Sequence, residues 1–309
     1  MNVPVCLIIF RRPAHTKKLI EALSEVRPNK LFVVADGPRP DVFDDMAACL
    51  SARKVIDDVD WPCDIHRFYS DVNLGCGKRP SSGIDWVFSH VDRAIILEDD
   101  CIPHPSFFSF CEEMLDRYAD DIRVMHINGS NFSEVPLPVK SSYCFSKVIS
   151  CWGWATWRRA WRYHDMAVSG WPILRRGRAL KYALGRSRMS KEFSAMLDLA
   201  HEGVGNVTYW DYQWALACWG HLGISILPKK NLISNCGCGN DATHTFNEKS
   251  SLASVPTMLM DNPLVHPEEI IVEYAADRYV MNKINNKGKK ISIYLMAEKT
   301  LRKIFARIE

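Results

Sequence analysis

The chain has 309 residues, 47% of them hydrophobic and 24% charged, which is ordinary globular composition and enough for one large domain or two small ones. The formal net charge of +3 is uneven: eight of the 39 Lys and Arg, but only two of the 36 Asp and Glu, fall from Lys283 onward. The remaining body carries 31 basic against 34 acidic residues, which argues against a general nucleic-acid binder, and no run of 18 apolar residues predicts a membrane span.

In chain order, Val3–Phe10 reads as a first strand. Its apolar run is too short for a membrane span and has no basic segment before it, so a signal peptide is not expected. Pro13–Leu23 follows as a helix with Leu19, Ile20 and Leu23 on one face. Lys30–Ala35 is a second strand ending at Asp36-Gly37-Pro38. Val42–Ala52 is helical, Ile65–Tyr69 a short strand, Asn73–Gly77 a turn and Ser81–His90 a helix. This alternation predicts a mostly parallel sheet flanked by helices, with no linker or internal repeat. The carboxyl ends of its strands should converge on one crevice, bringing Arg11, Arg12, Asp36, Asn73 and the acids after the fourth strand together. No Gly-x-Gly-x-x-Gly follows the first strand and no phosphate-binding loop of the Gly-Lys-Ser/Thr type occurs. The eleven Cys lack paired spacing and are expected to be reduced, in a cytosolic protein. Cys236-Gly-Cys238 has the wrong spacing for a zinc knuckle.

The fourth strand carries the strongest chemical signal. Ala94–Leu97 runs directly into Glu98, Asp99 and Asp100. Adjacent carboxylates repel one another and lose water in a cleft. A hard divalent cation relieves that cost, and Mg²⁺ or Mn²⁺ typically takes one or two carboxylates plus substrate phosphates. Alternatively, the acids serve only the N-terminus of the helix beginning at Pro105.

The second half is less regular. It holds the aromatic cluster Cys151–Trp161, a basic stretch at Arg175–Arg188, the segment Tyr209–Trp214 and Asn240–His244. Trp157 and Trp161, at helical spacing, are expected in the core. Trp152 and Trp154 could instead floor a sugar site. From Ile291 to Ile308, apolar residues recur at helical spacing between Lys and Arg, a pattern suited either to packing on the domain or to an anionic membrane surface.

The ordered series Phe10–Pro13, Val34–Gly37, Asn73–Gly75, Leu97–Asp100, Cys151–Trp154, Trp210-Asp211 and Asp241–His244 resembles the nucleotide-sugar-dependent glycosyltransferases of the GT-A fold. The resemblance is to the N-acetylglucosaminyltransferase I type and to bacterial family-2-like relatives, and it covers roughly residues 3–246. It implies an α/β, Rossmann-like transferase domain over residues 1–260, with a nucleotide-sugar half (1–130) and an acceptor half (131–260); it does not reach the C-terminal segment, where the helical spacing of the residues themselves predicts a helical extension over 261–309. It assigns Arg12 to the nucleotide, Asp36 to the base, Asn73, Trp152, Trp154 and Trp210 to the donor site, Glu98 to the donor sugar and Asp99 to the ribose. Asp100 would ligate Mn²⁺ or Mg²⁺, with His244 on a loop closing over the diphosphate. Asp211 would be the base of an inverting transfer; its other reading is a helix cap. Asp36 also reads as a plain turn residue.

The implied activity is transfer of a hexose or N-acetylhexosamine from a nucleotide-diphosphate sugar, a UDP-sugar foremost, to a glycan or lipid-linked glycan, in the cytoplasm or peripherally on the inner membrane face. The alternatives are a sugar-1-phosphate nucleotidyltransferase, whose glycine-rich loop Phe10–His15 lacks, and a non-catalytic glycan-binding module.

Overall fold

The computed structural model describes residues 1–177, 179–185, 188–203, 209–237, 252 and 254–287. His244 and the amphipathic tail from residue 288 lie outside these residues.

The first half alternates as its apolar periodicity predicts: β1 (Val5–Ile9), α1 (Pro13–Ser24), β2 (Lys30–Ala35), α2 (Asp45–Lys54), β3 (Asp64–Tyr69), α3 (Gly75–His90) and β4 (Arg93–Glu98). Then come β5 (Cys101–Pro103), α4 (Pro105–Arg117), β6 (Val124–Asn128), β7 (Tyr143–Ser146), β8 (Trp154–Trp157) and α5 (Arg158–Trp161). Short helices α6 (Trp171–Arg176) and α7 (Ala179–Leu184) lead to α8 (Arg188–Glu202) and α9 (Asp211–Gly220). The described chain ends with β9 (Ile224–Pro228), β10 (Ile233–Asn235) and α10 (Tyr274–Lys287).

Eight strands form one α/β sheet in the order β3-β2-β1-β4-β8-β6-β9-β7. The four on the β3 side are mutually parallel. β8 runs antiparallel to both β4 and β6, β6 and β9 are parallel, and β7 closes the edge antiparallel to β9. Buried on both faces, β1, β2 and β4 read as continuous apolar runs, as a helix-covered parallel sheet requires.

α3 begins six residues earlier than Ser81, through Gly75, Gly77 and Pro80, which in isolation favour a turn. Its first turn is held from just past the end of β2: Asp36 accepts the amides of Leu74 and Gly75, each at 2.9 Å. A second, two-stranded sheet pairs β5 with β10 antiparallel, Cys101 opposite Asn235. Nothing in three-residue strands beside Pro103 and Pro105 announces it.

The described segment after residue 260, which runs to Lys287, packs onto the body. Ala276 and Val280 of α10 are buried, Ser146 donates to Asp277 at 2.5 Å, and Glu273 donates its amide to Phe145 at 2.8 Å. Among the described residues no disulfide forms, and no helix is long and apolar enough to cross a membrane.

Candidate active site

The carboxyl ends of β1, β2 and β4 lie side by side. The Asp36 amide donates to Ile9 and the Asp99 amide to Ile8, extending the ladders from β2 and β4 along β1 just as the polar residues begin. Arg12, the cap residue of α1, turns back onto the acids. It donates to Asp99, and its other guanidinium nitrogen lies 3.0 Å from Asp100 Oδ2. Burial opposes the charge on Arg12, but Asp99, Asp100 and Glu98 together hold its proton more firmly than usual. Asp99 also accepts the Phe10 amide at 3.3 Å.

Asp100 is enclosed by the small sheet. Its Oδ1 faces Asn235 Nδ2 at 3.3 Å and the Cys101 thiol at 3.6 Å. Its carbonyl accepts the Cys236 amide at 2.9 Å. Gly237 packs so tightly over the carboxylate that a Cβ there would collide with it. The glycine of Cys236-Gly-Cys238 is therefore a close-approach residue, and the Cys236 thiol bonds the Asp100 carbonyl at 3.4 Å.

Glu98 is different. Among the described residues no hydrogen bond or ion pair reaches its carboxyl. Part of its surface stays open, yet protein surrounds the acid group. Burial first, and then the charges of Asp100, Asp99 and Asp211, push it up to about 8. Asp211 opens α9 as its first residue, with Trp210 in the cap position. It accepts the Tyr212 amide at 3.1 Å, and burial pushes its carboxyl up to about 6. Its charge also bears on the Cys151 thiol and the Tyr209 hydroxyl, so these two groups and Glu98 surround it. Neither Cys151 nor Tyr209 carries a signal in the sequence beyond lying beside Trp152 and Trp210.

Asp36 and Asn73 form a separate knot. Both Asp36 oxygens are engaged, by the amides of Gly37, Leu74 and Gly75 and by Asn73 Nδ2 at 3.1 Å. Those four donors fill a carboxylate's acceptor sites, so Asp36 shapes the loop into α3. Asn73 also donates to the Gly37 carbonyl at 2.8 Å. Arg11 points away from the acid cluster and pairs with Asp44 at 2.9 Å and Asp45 at 2.6 Å.

Two aromatic expectations are corrected. Trp154 is fully buried, stacked on His126 at 5.1 Å and on Trp210 at 5.7 Å, so no sugar can reach its face. Trp210 is 4% exposed and packs edge-on to Trp161 as well. Both are core residues that support α9 from below. Trp152 remains partly open, with its ring 5.3 Å from Phe132. Trp157 and Trp161 are buried, as their spacing predicts.

The cluster fits a hard cation chemically. Three carboxylates (Glu98, Asp99 and Asp100) bear on one guanidinium, with Asp211 beside Glu98, and all these groups offer oxygens of the kind Mg²⁺ and Mn²⁺ prefer. Among the described residues no group of three or more His, Cys, Asp and Glu is arranged to hold an ion by itself. Such an ion would draw its remaining ligands from substrate and water.

No family model matches the sequence, and no curated protein matches it. Solved structures with partial similarity include UDP-glucose pyrophosphorylase complexed with UDP-glucose, at 12% identity over 48% of this chain and 58% of that one, TM-score 0.25. The chain thus spans less than two thirds of that enzyme. Apo UDP-glucose pyrophosphorylase gives 10% identity over 76% and 93% of the two chains, TM-score 0.38. Mouse xyloside xylosyltransferase 1, in its apo form, gives 11% identity over 71% and 82%, TM-score 0.34. Similarity at this level assigns neither reaction nor substrate.

Proposed function

We propose that the protein is an inverting glycosyltransferase of the GT-A type, moving a sugar from a nucleotide diphosphate, a UDP-sugar foremost, to a glycan or lipid-linked glycan hydroxyl. The observation that carries this reading is the meeting of Arg12 and the acids ending β4 with a separate buried carboxylate, Asp211, contributed by α9. Asp211 takes the proton of the acceptor hydroxyl as that oxygen attacks the anomeric carbon. At about 6 its carboxyl is a stronger base than an ordinary aspartate yet is ionised at neutral pH. Glu98, whose carboxyl has no hydrogen-bond or ion-pair partner among the described residues, offers hydrogen bonds to the donor sugar. Arg12 supplies a planar fork of donors suited to phosphate oxygens. Asp36 and Asn73 set the loop that borders the base, and Trp152 is the aromatic residue left to meet a sugar.

Asp100 would hold Mn²⁺ or Mg²⁺, with His244 as a candidate second contact from the resemblance, and a bound cation would offset the charge that grows on the leaving diphosphate. A lipid-linked acceptor would suit the basic tail from Lys287, whose Lys and Arg would attract anionic lipid.

The test is nucleotide release from UDP-, GDP- and CMP-sugars with and without Mn²⁺. Release from one of them, with inversion at the anomeric carbon of the product, supports the reading. Consumption of a nucleoside triphosphate with a sugar 1-phosphate, or a retained anomeric configuration, overturns it.

A further inference from the structure

Both oxygens of Asp100 already have partners in the protein. Oδ2 is taken by Arg12 at 3.0 Å, while Oδ1 is engaged by Asn235 and Cys101 and the Gly237 backbone closes over the group. An ion seated between Asp99 and Asp100 would take the place that the Arg12 guanidinium now fills. The donors from Asn235 and Cys101 come from two paired strands. Arg12 instead reaches the acid through a long side chain from the cap of α1, and it is the charged member of the set.

Displacing Arg12 alone is unfavourable. Its side chain is 15% exposed, so a guanidinium stripped of Asp99 and Asp100 would be left largely buried without a counter-charge. An arriving diphosphate removes that penalty, because it offers the fork a bidentate anionic partner while supplying oxygens to the ion.

We propose that Arg12 is an internal counter-ion that occupies the cation position on Asp99 and Asp100, so that a divalent metal enters only together with a nucleotide diphosphate, to which Arg12 transfers. This inference rests on the nucleotide-sugar reading and adds to it an obligatory coupling between two ligands. Arg12 acts as a placeholder in the empty cleft and as a phosphate ligand in the loaded one. The reciprocal follows by linkage: metal strengthens nucleotide binding by the same factor by which nucleotide strengthens metal binding.

The experiment measures Mn²⁺ binding to the full chain by electron paramagnetic resonance of the free ion, with and without UDP. Arg12→Met and Arg12→Lys are compared with the wild type. The wild type should bind Mn²⁺ at least about tenfold more tightly when UDP is present. Arg12→Met should bind Mn²⁺ alone more tightly than the wild type and lose most of the coupling. Arg12→Lys, which keeps the charge but not the fork, should fall between the two. If Arg12→Met does not fold, the wild-type coupling and the lysine variant decide the question. UDP binding with no effect on Mn²⁺, or Mn²⁺ affinity unchanged or weakened in the Arg12 variants, overturns the placeholder and leaves the nucleotide reading standing. Failure of UDP to bind under any condition overturns both.

Discussion

The acid-tipped end of β4 and the aromatic cluster beneath α9 are neighbours built on opposite principles. Ile96 of β4 pairs in register with Trp154 of β8, and two residues further along β4 the charges begin. In the cluster, His126 is neutral because burial pushes it down to about 3. It accepts from Trp214 Nε1 at 3.1 Å and donates to the Ser150 carbonyl at 3.0 Å. The indole of Trp161 likewise donates to Asp85 at 2.7 Å, while that of Trp154 has no partner among the described residues. At the acid end the reverse holds: among the described residues carboxylates outnumber cations and the Glu98 carboxyl has no hydrogen-bond or ion-pair partner. The first region is arranged for rigidity and the second is held short of its own minimum, as expected of a surface that awaits a ligand.

Substitutions should separate the two. Asp211→Asn stands on the boundary between them and should lower transfer by roughly 10²–10⁴-fold with nucleotide affinity retained. The wild-type rate should rise with pH through about 6, because the base works only when ionised. A variant that loses nucleotide binding or unfolds instead would move Asp211 into the structural region. Trp154→Ala should cost about 3–5 kcal/mol in urea unfolding. A near-neutral stability effect joined to weaker sugar binding would contradict its place in the core.

Glu98→Gln has the smallest effect, and its sign is informative. In the fold Glu98 keeps its proton up to about 8, whereas unfolded it ionises near its ordinary 4.5. Between those values the folded state binds more protons, so stability of the ligand-free protein should fall as pH rises across the interval. The glutamine variant should melt higher than the wild type at pH 8 and close to it at pH 4.5. Parallel melting curves at both values would mean that Glu98 is not under strain.

Much of this contrast was legible from residues and part was not. The bounds of β2 match the apolar run Lys30–Ala35, because a strand buried on both faces needs nothing but apolar residues. The acids were legible because their charges are adjacent in the chain. The far side of the sheet was harder: Ser146, Thr156 and Ser225 sit fully buried in strands, and their hydroxyls are satisfied at a distance, Ser146 by the Asp277 carboxylate and the other two by backbone carbonyls that no local pattern announces. The start of α3 was missed for the same reason, since its anchor, Asp36, lies just past the end of β2. Asn235, Gly237 and Cys151 acquire their roles only from what they meet in space. Trp154 was misjudged because a tryptophan beside glycine reads the same whether a ring or a sugar covers it.

The small sheet has a consequence for the order in which the molecule is made. Asn235 reaches Asp100 across 135 positions, and the β10 strand that carries it follows every strand of the main sheet. That contact is more distant in the chain than the pairings within β1 to β4, the longest of which joins Val5 to Ile95, and more distant contacts close later. A nascent chain can therefore assemble β1 to β4 and expose the acids well before the second enclosure around Asp100 exists. Until residue 237 has emerged and docked, Arg12 is the cation that shields those charges, and the enclosure around Asp100 is the last part of the acid cluster to mature.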